Sequence, residues 1–235
     1  MQNNINWARW RPTKPSEIIG DEILLGFDAI CEETNDEDGE RCFLIYGKEG
    51  RGKSTIARFV ADHFVDHEEN IETLKGTKVI QSVVDRIMYD SHMRPMYGSN
   101  GCRAVIINEV DNINKDVQDC LHDWLQDELP RNYIVIATTN KKPCSREQWD
   151  KMTKSDRDEH LTPKFGGRFM WFEIPTLSVE EIARELVRMC RIPEQAALVC
   201  ARNGNGDIRH TLKEVQKALR LFKIKQQRKE SNVNI

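Results

Sequence analysis

The run Gly47-Lys-Glu-Gly-Arg-Gly52-Lys53-Ser54 constrains this chain more than any other stretch. It fits the spacing G-x-x-x-x-G-K-[ST]; five apolar residues, Cys42 to Tyr46, precede it, and a helical pattern from Lys53 to about Val65 follows. Glycines at these positions let the backbone curl so that successive N–H groups point inward at phosphate oxygens. The helix opening behind them adds its N-terminal partial positive charge. In that setting Lys53 reaches the β- and γ-phosphates of a nucleotide, and the Ser54 hydroxyl ligates Mg²⁺.

A short apolar run bounded by turn residues suits a buried parallel strand better than a helix. Cys42 to Tyr46 is one such run; Ala104 to Ile107, Tyr133 to Ala137 and Phe169 to Phe172 are the others. Between them, Val79, Ile80, Val83, Val84, Ile87 and Met88, and then Val117, Leu121, Trp124 and Leu125, repeat at the spacing of one helix face. Strands alternating with helices of this length predict βαβ units and a mostly parallel sheet. Residues 32–40 (EETNDEDGE) read as a solvated acidic loop. After Pro175 only helical patterns remain, so the expected organisation is an α/β domain over 1–175 and a small all-helical domain over 176–235. The end is basic: Lys213, Lys217, Arg220, Lys223, Lys225, Arg228 and Lys229 face only Glu214 and Glu230.

Composition narrows the classes. With 39% hydrophobic and 31% charged residues the chain reads as an ordinary soluble protein, neither disordered nor membrane-spanning. Its longest apolar run, Ala196 to Ala201, is far short of the roughly 20 residues a bilayer needs. A formal net charge of −3 excludes a wholesale basic coat for DNA but not a local basic face. The N-terminus lacks the apolar core of a secretory signal, and seven cysteines without a Cys-x-x-Cys pair fit a reducing compartment. His63 and His67 are spaced i, i+4, but no third ligand accompanies them, so a solvated helix end is expected.

A phosphate loop needs a second strand that delivers polar groups to the metal and to water. Ala104-Val-Ile-Ile107-Asn108-Glu109-Val110-Asp111 is the candidate, with its polar residues at the carboxyl edge where open parallel sheets bind ligands. Glu109 is placed to orient an attacking water. Asn108 stands where an Asp normally serves the Mg²⁺ shell; a neutral amide accepts a hydrogen bond from metal-bound water but adds no charge. Weakened or absent hydrolysis is the expectation.

As an ordered set, these motifs resemble the AAA+ ATPases, and within them the clamp-loader subunits of the replication factor C type. Trp10-Arg11-Pro12 followed by Ser16-Glu17-Ile18-Ile19-Gly20 is similar to the family's adenine-side segment. Gly47 to Ser54 and Ile106 to Asp111 match its two Walker motifs, and Ile134 to Asn140 its sensor-1 strand. Gly166-Gly-Arg168-Phe169 falls at the place of the arginine finger, and Gly206-Asp-Ile-Arg209 resembles sensor 2. The resemblance implies a P-loop core with a five-stranded parallel sheet plus a helical lid, with ATP held between them and Mg²⁺ as cofactor. It assigns nucleotide binding to Arg11, Pro12, Ile19, Gly47, Gly50, Arg51, Gly52, Lys53, Ser54, Thr55, Asn140 and Arg209, and the metal to Ser54 and Asn108. It assigns catalysis to Lys53, Glu109 and Arg168, the last acting on a neighbouring subunit. It further implies an oligomer of identical or different subunits, sequence-independent DNA contact, a sliding clamp or helicase as partner, no membrane, a role in DNA replication, and a cytoplasmic or nuclear location.

Departures from the pattern shape the alternatives. Only Gly-Arg-Phe remains of the Ser-Arg-Cys finger motif, and residues 141–164 make a long polar detour. His122 and Asp123 stand where clamp loaders often carry paired arginines for DNA. The chain stops after the lid, so no collar domain is expected. A low-turnover ATP-binding scaffold, or a helicase loader or transposition-type regulator, are the alternative readings.

Overall fold

The apolar runs become strands of one parallel sheet in the computed structural model, which describes residues 10, 12–158 and 160–233, with side chains through 225. The strands β1 (Cys42–Tyr46), β2 (Ile71–Lys75), β3 (Arg103–Asn108), β4 (Tyr133–Thr139) and β5 (Met170–Glu173) lie in the order β2-β3-β4-β1-β5, with every neighbouring pair parallel. β1 and β4 are buried along their whole length, as strands covered on both faces must be. β2 has no counterpart among the sequence expectations. Its residues, Ile-Glu-Thr-Leu-Lys, include only two apolar side chains and are nowhere fully buried, in a strand at the sheet edge.

Helices α1 (Asp21–Asn35), α2 (Lys53–Phe64), α3 (Gln81–Ser91) and α4 (Lys115–Asp127) accompany the sheet. Two sequence expectations change here. The acidic stretch is only partly a loop: α1 takes 32–35, and the turn from Asp36 is tied down by Arg41, whose Nη2 donates to the Asp36 carbonyl (2.7 Å) and whose Nε donates to the Arg131 carbonyl (2.9 Å). α3 begins after Ile80, which is exposed, so its buried face is Val84 and Ile87 rather than the full set from Val79. Residues 141–164 are ordered into α5 (Arg146–Lys151), opened by a capping box on Ser145, and α6 (Lys154–Asp158); α7 (Pro163–Gly166), started by Thr162 and Pro163, follows. Lys115 and Arg157 both lie over the Trp149 ring, at 5.7 and 5.9 Å, which holds the detour to the start of α4.

Leu44, Val105, Ile107, Leu121, Trp124, Tyr133, Val135 and Phe165 are central to the core on the α3–α4 side of the sheet. Trp124 meets Tyr133 edge to face at 5.7 Å, and Phe165 meets Phe169 at 5.2 Å. Phe165 is fully buried and carries α7, so Phe165→Ala is expected to cost about 3–5 kcal/mol, read as a lower denaturation midpoint. An unchanged midpoint would contradict this packing.

The described residues fall into two compact units. One comprises 22–48 and 53–175; the other comprises 176 onward together with 49–52 and the described residues up to Asp21. The second unit holds α8 (Val179–Cys190), α9 (Glu194–Gly204) and α10 (Ile208–Val233). Ser178 and Glu181 form a capping box that starts α8, with hydrogen bonds from Ser178 holding the Glu181 carboxyl below its usual range. Among the described residues no helix is long and apolar enough to cross a membrane.

Candidate nucleotide site

Parallel strands bring their carboxyl ends to one edge of the sheet, and the register says which residues meet there. Tyr46 pairs with Thr139 and Ile107 with Ala137, so Gly47, Asn108 and Asn140 all emerge at that edge. Lys53 opens α2, and its Nζ donates to the carbonyls of Gly47 (2.7 Å) and Lys48 (2.9 Å) and to Asn140 Oδ1 (2.7 Å). Gly47 needs its φ of +147° and its missing Cβ, which would come within 2.9 Å of the Ile174 carbonyl oxygen. No acid lies in the first turn of α2, so its leading N–H groups face no competing negative charge from that turn.

Next to the lysine is a short hydroxyl–amide chain. Ser54 Oγ donates to Asn108 Oδ1 at 2.6 Å, Thr138 Oγ1 donates to the same oxygen at 3.1 Å, and the Glu109 N–H donates to Thr138 Oγ1 at 3.3 Å. Thr138 is buried and was not singled out by sequence; its place next to last in an apolar strand was the available signal. The Ser54, Thr138 and Asn108 oxygens are hard ligands that fit a hydrated Mg²⁺, and Asn108 contributes no charge to it. Among the described residues no group of three or more His, Cys, Asp or Glu could hold a metal ion.

Glu109 has left-handed backbone angles, φ 57° and ψ 51°. Lys75, the last residue of β2, pairs in register with Asn108, and its Nζ lies 3.2 Å from the Glu109 carboxylate. Both side chains are about half exposed, 54% and 45%, so the pair is worth no more than about 1 kcal/mol. If it restrains Glu109, Lys75→Met changes ATP turnover by at most about fivefold; a loss of a hundredfold or more would mean that Lys75 itself acts on the nucleotide.

In the helical unit, residues 49–52 meet the start of α10. Gly50, at φ +75°, accepts a hydrogen bond from Ile208 N–H at 3.2 Å, and a Cβ at Gly50 would overlap the Asp207 carboxylate at 2.1 Å. Arg209 Nη1 lies 3.7 Å from Glu49 Oε1, both exposed. Arg51 is buried, and its Nε has no hydrogen-bond partner among the described residues. Gly52 has φ +87° and open space where a Cβ would stand. Thr55 is half-buried on α2, Pro12 is half-buried and Ile19 is buried. Arg11 lies outside the described residues.

Arg168 is not at the carboxyl edge. It precedes β5 by two residues, and Met170 pairs with Phe43, so Arg168 stands at the amino end of parallel strands whose carboxyl ends carry Lys53, Asn108 and Asn140. Its Nε donates to His122 Nε2 at 2.9 Å and its Nη2 to Gln126 Oε1 at 2.5 Å. His122 is buried, and its Nδ1 lies 2.7 Å from the exposed Asp123 carboxylate, which also pairs with Lys164 at 3.3 Å. The hydrogen bonds from His122 and Lys164 hold the Asp123 carboxyl below its usual range. His63 Nε2 lies 3.2 Å from Asn35 Oδ1, and His67 stacks on Tyr97.

Residues 43–158 match the family described as the ATPase family associated with various cellular activities (AAA). The ATPase WRNIP1 of Dictyostelium discoideum is 26% identical over 94% of this chain and 24% of its own length. The replication-associated recombination protein A of Bacillus subtilis (strain 168) is 25% identical over 90% of this chain and 47% of its own. The chain thus spans from about a quarter to about half of these curated relatives. Among solved structures, the Thermotoga maritima RuvB Holliday junction branch migration motor matches with a TM-score of 0.61 at 19% identity, covering 90% of this chain and 65% of that one. Domain III of the Thermotoga maritima replication initiation protein DnaA matches with a TM-score of 0.61 at 15% identity, covering 89% of this chain and 88% of that one. The fold is the P-loop AAA+ fold, a five-stranded parallel sheet with helices.

Proposed function

We propose that this chain of AAA+ fold binds and hydrolyses ATP as an oligomer of its own copies, acting on DNA in replication or recombination. The observation that carries the reading is the position of Lys53, whose ammonium bridges the Gly47 carbonyl and Asn140 at the carboxyl edge of the sheet. An ammonium turned toward these oxygens, beside a helix start with no acid in its first turn, suits a polyphosphate. Lys53 would exchange the carbonyls for phosphate oxygens, Asn140 would sense the terminal phosphate, and Glu109 would orient water once released from Lys75. Ser54 and Asn108 would hold Mg²⁺, which supplies charge neutralisation on the phosphates.

The distant position of Arg168 supports action on a neighbour. From the level of Arg168 to Gly47 is about six residues of strand, roughly 20 Å, too far for a side chain to reach its own loop. The relatives' names, a replication-associated recombination protein among them, support DNA as the substrate. Contact with its phosphates would be sequence-independent. A clamp-loader-like task is the finer form of this proposal, with a sliding clamp or a helicase as the loaded partner. Asn108 favours a second reading, in which ATP is retained as a structural ligand and turnover is low. ATP turnover measured across protein concentration, with and without primed DNA, tests the first. Turnover that rises with concentration and with DNA is expected, and turnover indifferent to both would overturn it.

A further inference from the structure

The segment that carries Arg168 lies along one polar stripe of α4. Gln118, His122 and Gln126 recur every four residues, so they share a helix face. Gln118 is fully buried; its Oε1 accepts from Thr162 N–H at 3.0 Å, and its Nε2 donates to the Ile113 carbonyl at 2.9 Å. His122 and Gln126 then take the guanidinium of Arg168 itself. A buried helix face normally selects apolar side chains, since each buried polar group costs free energy unless it is paired. Here Gln118 and His122 are paired with the segment 162–168 or with the helix's own approach, and with little else.

Donor chemistry fixes the ring. A guanidinium only donates, so His122 Nε2 must accept from Arg168 Nε, and the ring proton resides on Nδ1, facing the Asp123 carboxylate. Lys164 holds Asp123 from the other side. Arg168 therefore has Nε and Nη2 engaged, while Nη1 has no hydrogen-bond partner among the described residues, on a residue that is exposed.

We propose that His122, locked by Asp123, is a positioning residue for Arg168: it orients the guanidinium so that its remaining edge is presented to the nucleotide of a neighbouring copy. The positions that the clamp-loader resemblance would give to DNA-contacting arginines are used here to aim the finger. α4 begins six residues after Glu109, so the helix that follows this chain's own strand-end carboxylate also sets the group it offers its neighbour. The inference rests on the trans-acting reading of Arg168, and its test separates the two.

ATP turnover and nucleotide retention are measured for His122→Ala, Arg168→Ala and the double variant. Losing a hydrogen bond to a charged group is expected to lower turnover about tenfold to a hundredfold in His122→Ala, with nucleotide retention unchanged. In the Arg168→Ala background the same substitution is expected to have no further effect, since there is nothing left to orient. His122→Gln, which keeps an acceptor, is expected to recover most of the activity and serves if the alanine variant does not fold. An equal loss in both backgrounds, or no loss in His122→Ala, overturns the positioning role. Full activity in Arg168→Ala alone would instead overturn the trans reading beneath it.

Discussion

Arg168→Ala is expected to lower steady-state ATP turnover by about 10³-fold or more while the variant retains nucleotide as the parent does. A guanidinium supplied from a neighbour to a transferring phosphoryl group is worth about 10³–10⁵ in rate in phosphate-loop enzymes. The residues proposed for the two halves lie at opposite edges of one sheet: Lys53, Asn108 and Asn140 at its carboxyl edge, Arg168 at its amino edge. Because the Arg168 guanidinium hydrogen-bonds to His122 and Gln126 on α4, away from Lys53 and Asn140, its removal should leave the phosphate-gripping contacts of its own copy in place. Turnover and retention should therefore part company. If both fell together, Arg168 would be serving stability or assembly; if neither fell, the oligomeric mechanism would be wrong.

The second large effect is a gain. Asn108→Asp is expected to raise turnover by roughly tenfold to a hundredfold, the range that separates a charged from a neutral hydrogen-bond partner at a metal's water shell. Asn108 Oδ1 already receives both the Ser54 and the Thr138 hydroxyls, so an aspartate oxygen in its place would inherit two donors. The substitution needs no rearrangement of the strand. Measured turnover at saturating ATP and Mg²⁺ decides it. No gain in a chain whose Arg168 is intact would favour the reading in which ATP is a structural ligand.

What was legible in the sequence follows from burial. β1, β3 and β4 are buried on both faces and announce themselves as apolar runs, and the glycine pattern after β1 marks its carboxyl end. β2 carries no such run, since Ile71 and Leu74 are its only apolar residues, and its Lys75 becomes informative only through its register with Asn108. The residues of the phosphate loop are local and could be read by spacing. The placement of Arg168 could not, since it depends on which end of β5 lies beside which end of β1. The His122–Arg168 pair joins positions 46 apart in the chain, and no pattern on α4 alone says that a polar stripe is an interior contact rather than a solvated face. The mixed charges of the polar detour through 141–164 give no periodic pattern to read; the Trp149 ring under Lys115 and Arg157 and the Ser145 capping box are what order it.

Mixing two inactive variants tests the central claim most directly. Lys53→Ala removes the phosphate grip but keeps Arg168, and Arg168→Ala keeps the grip but removes the finger. Combined in equal amounts, they are expected to regain turnover well above either alone, because mixed neighbours bring one intact loop and one intact guanidinium together. A mixture no more active than its parts, at concentrations where the parent chain is fully active, would contradict a site shared between copies.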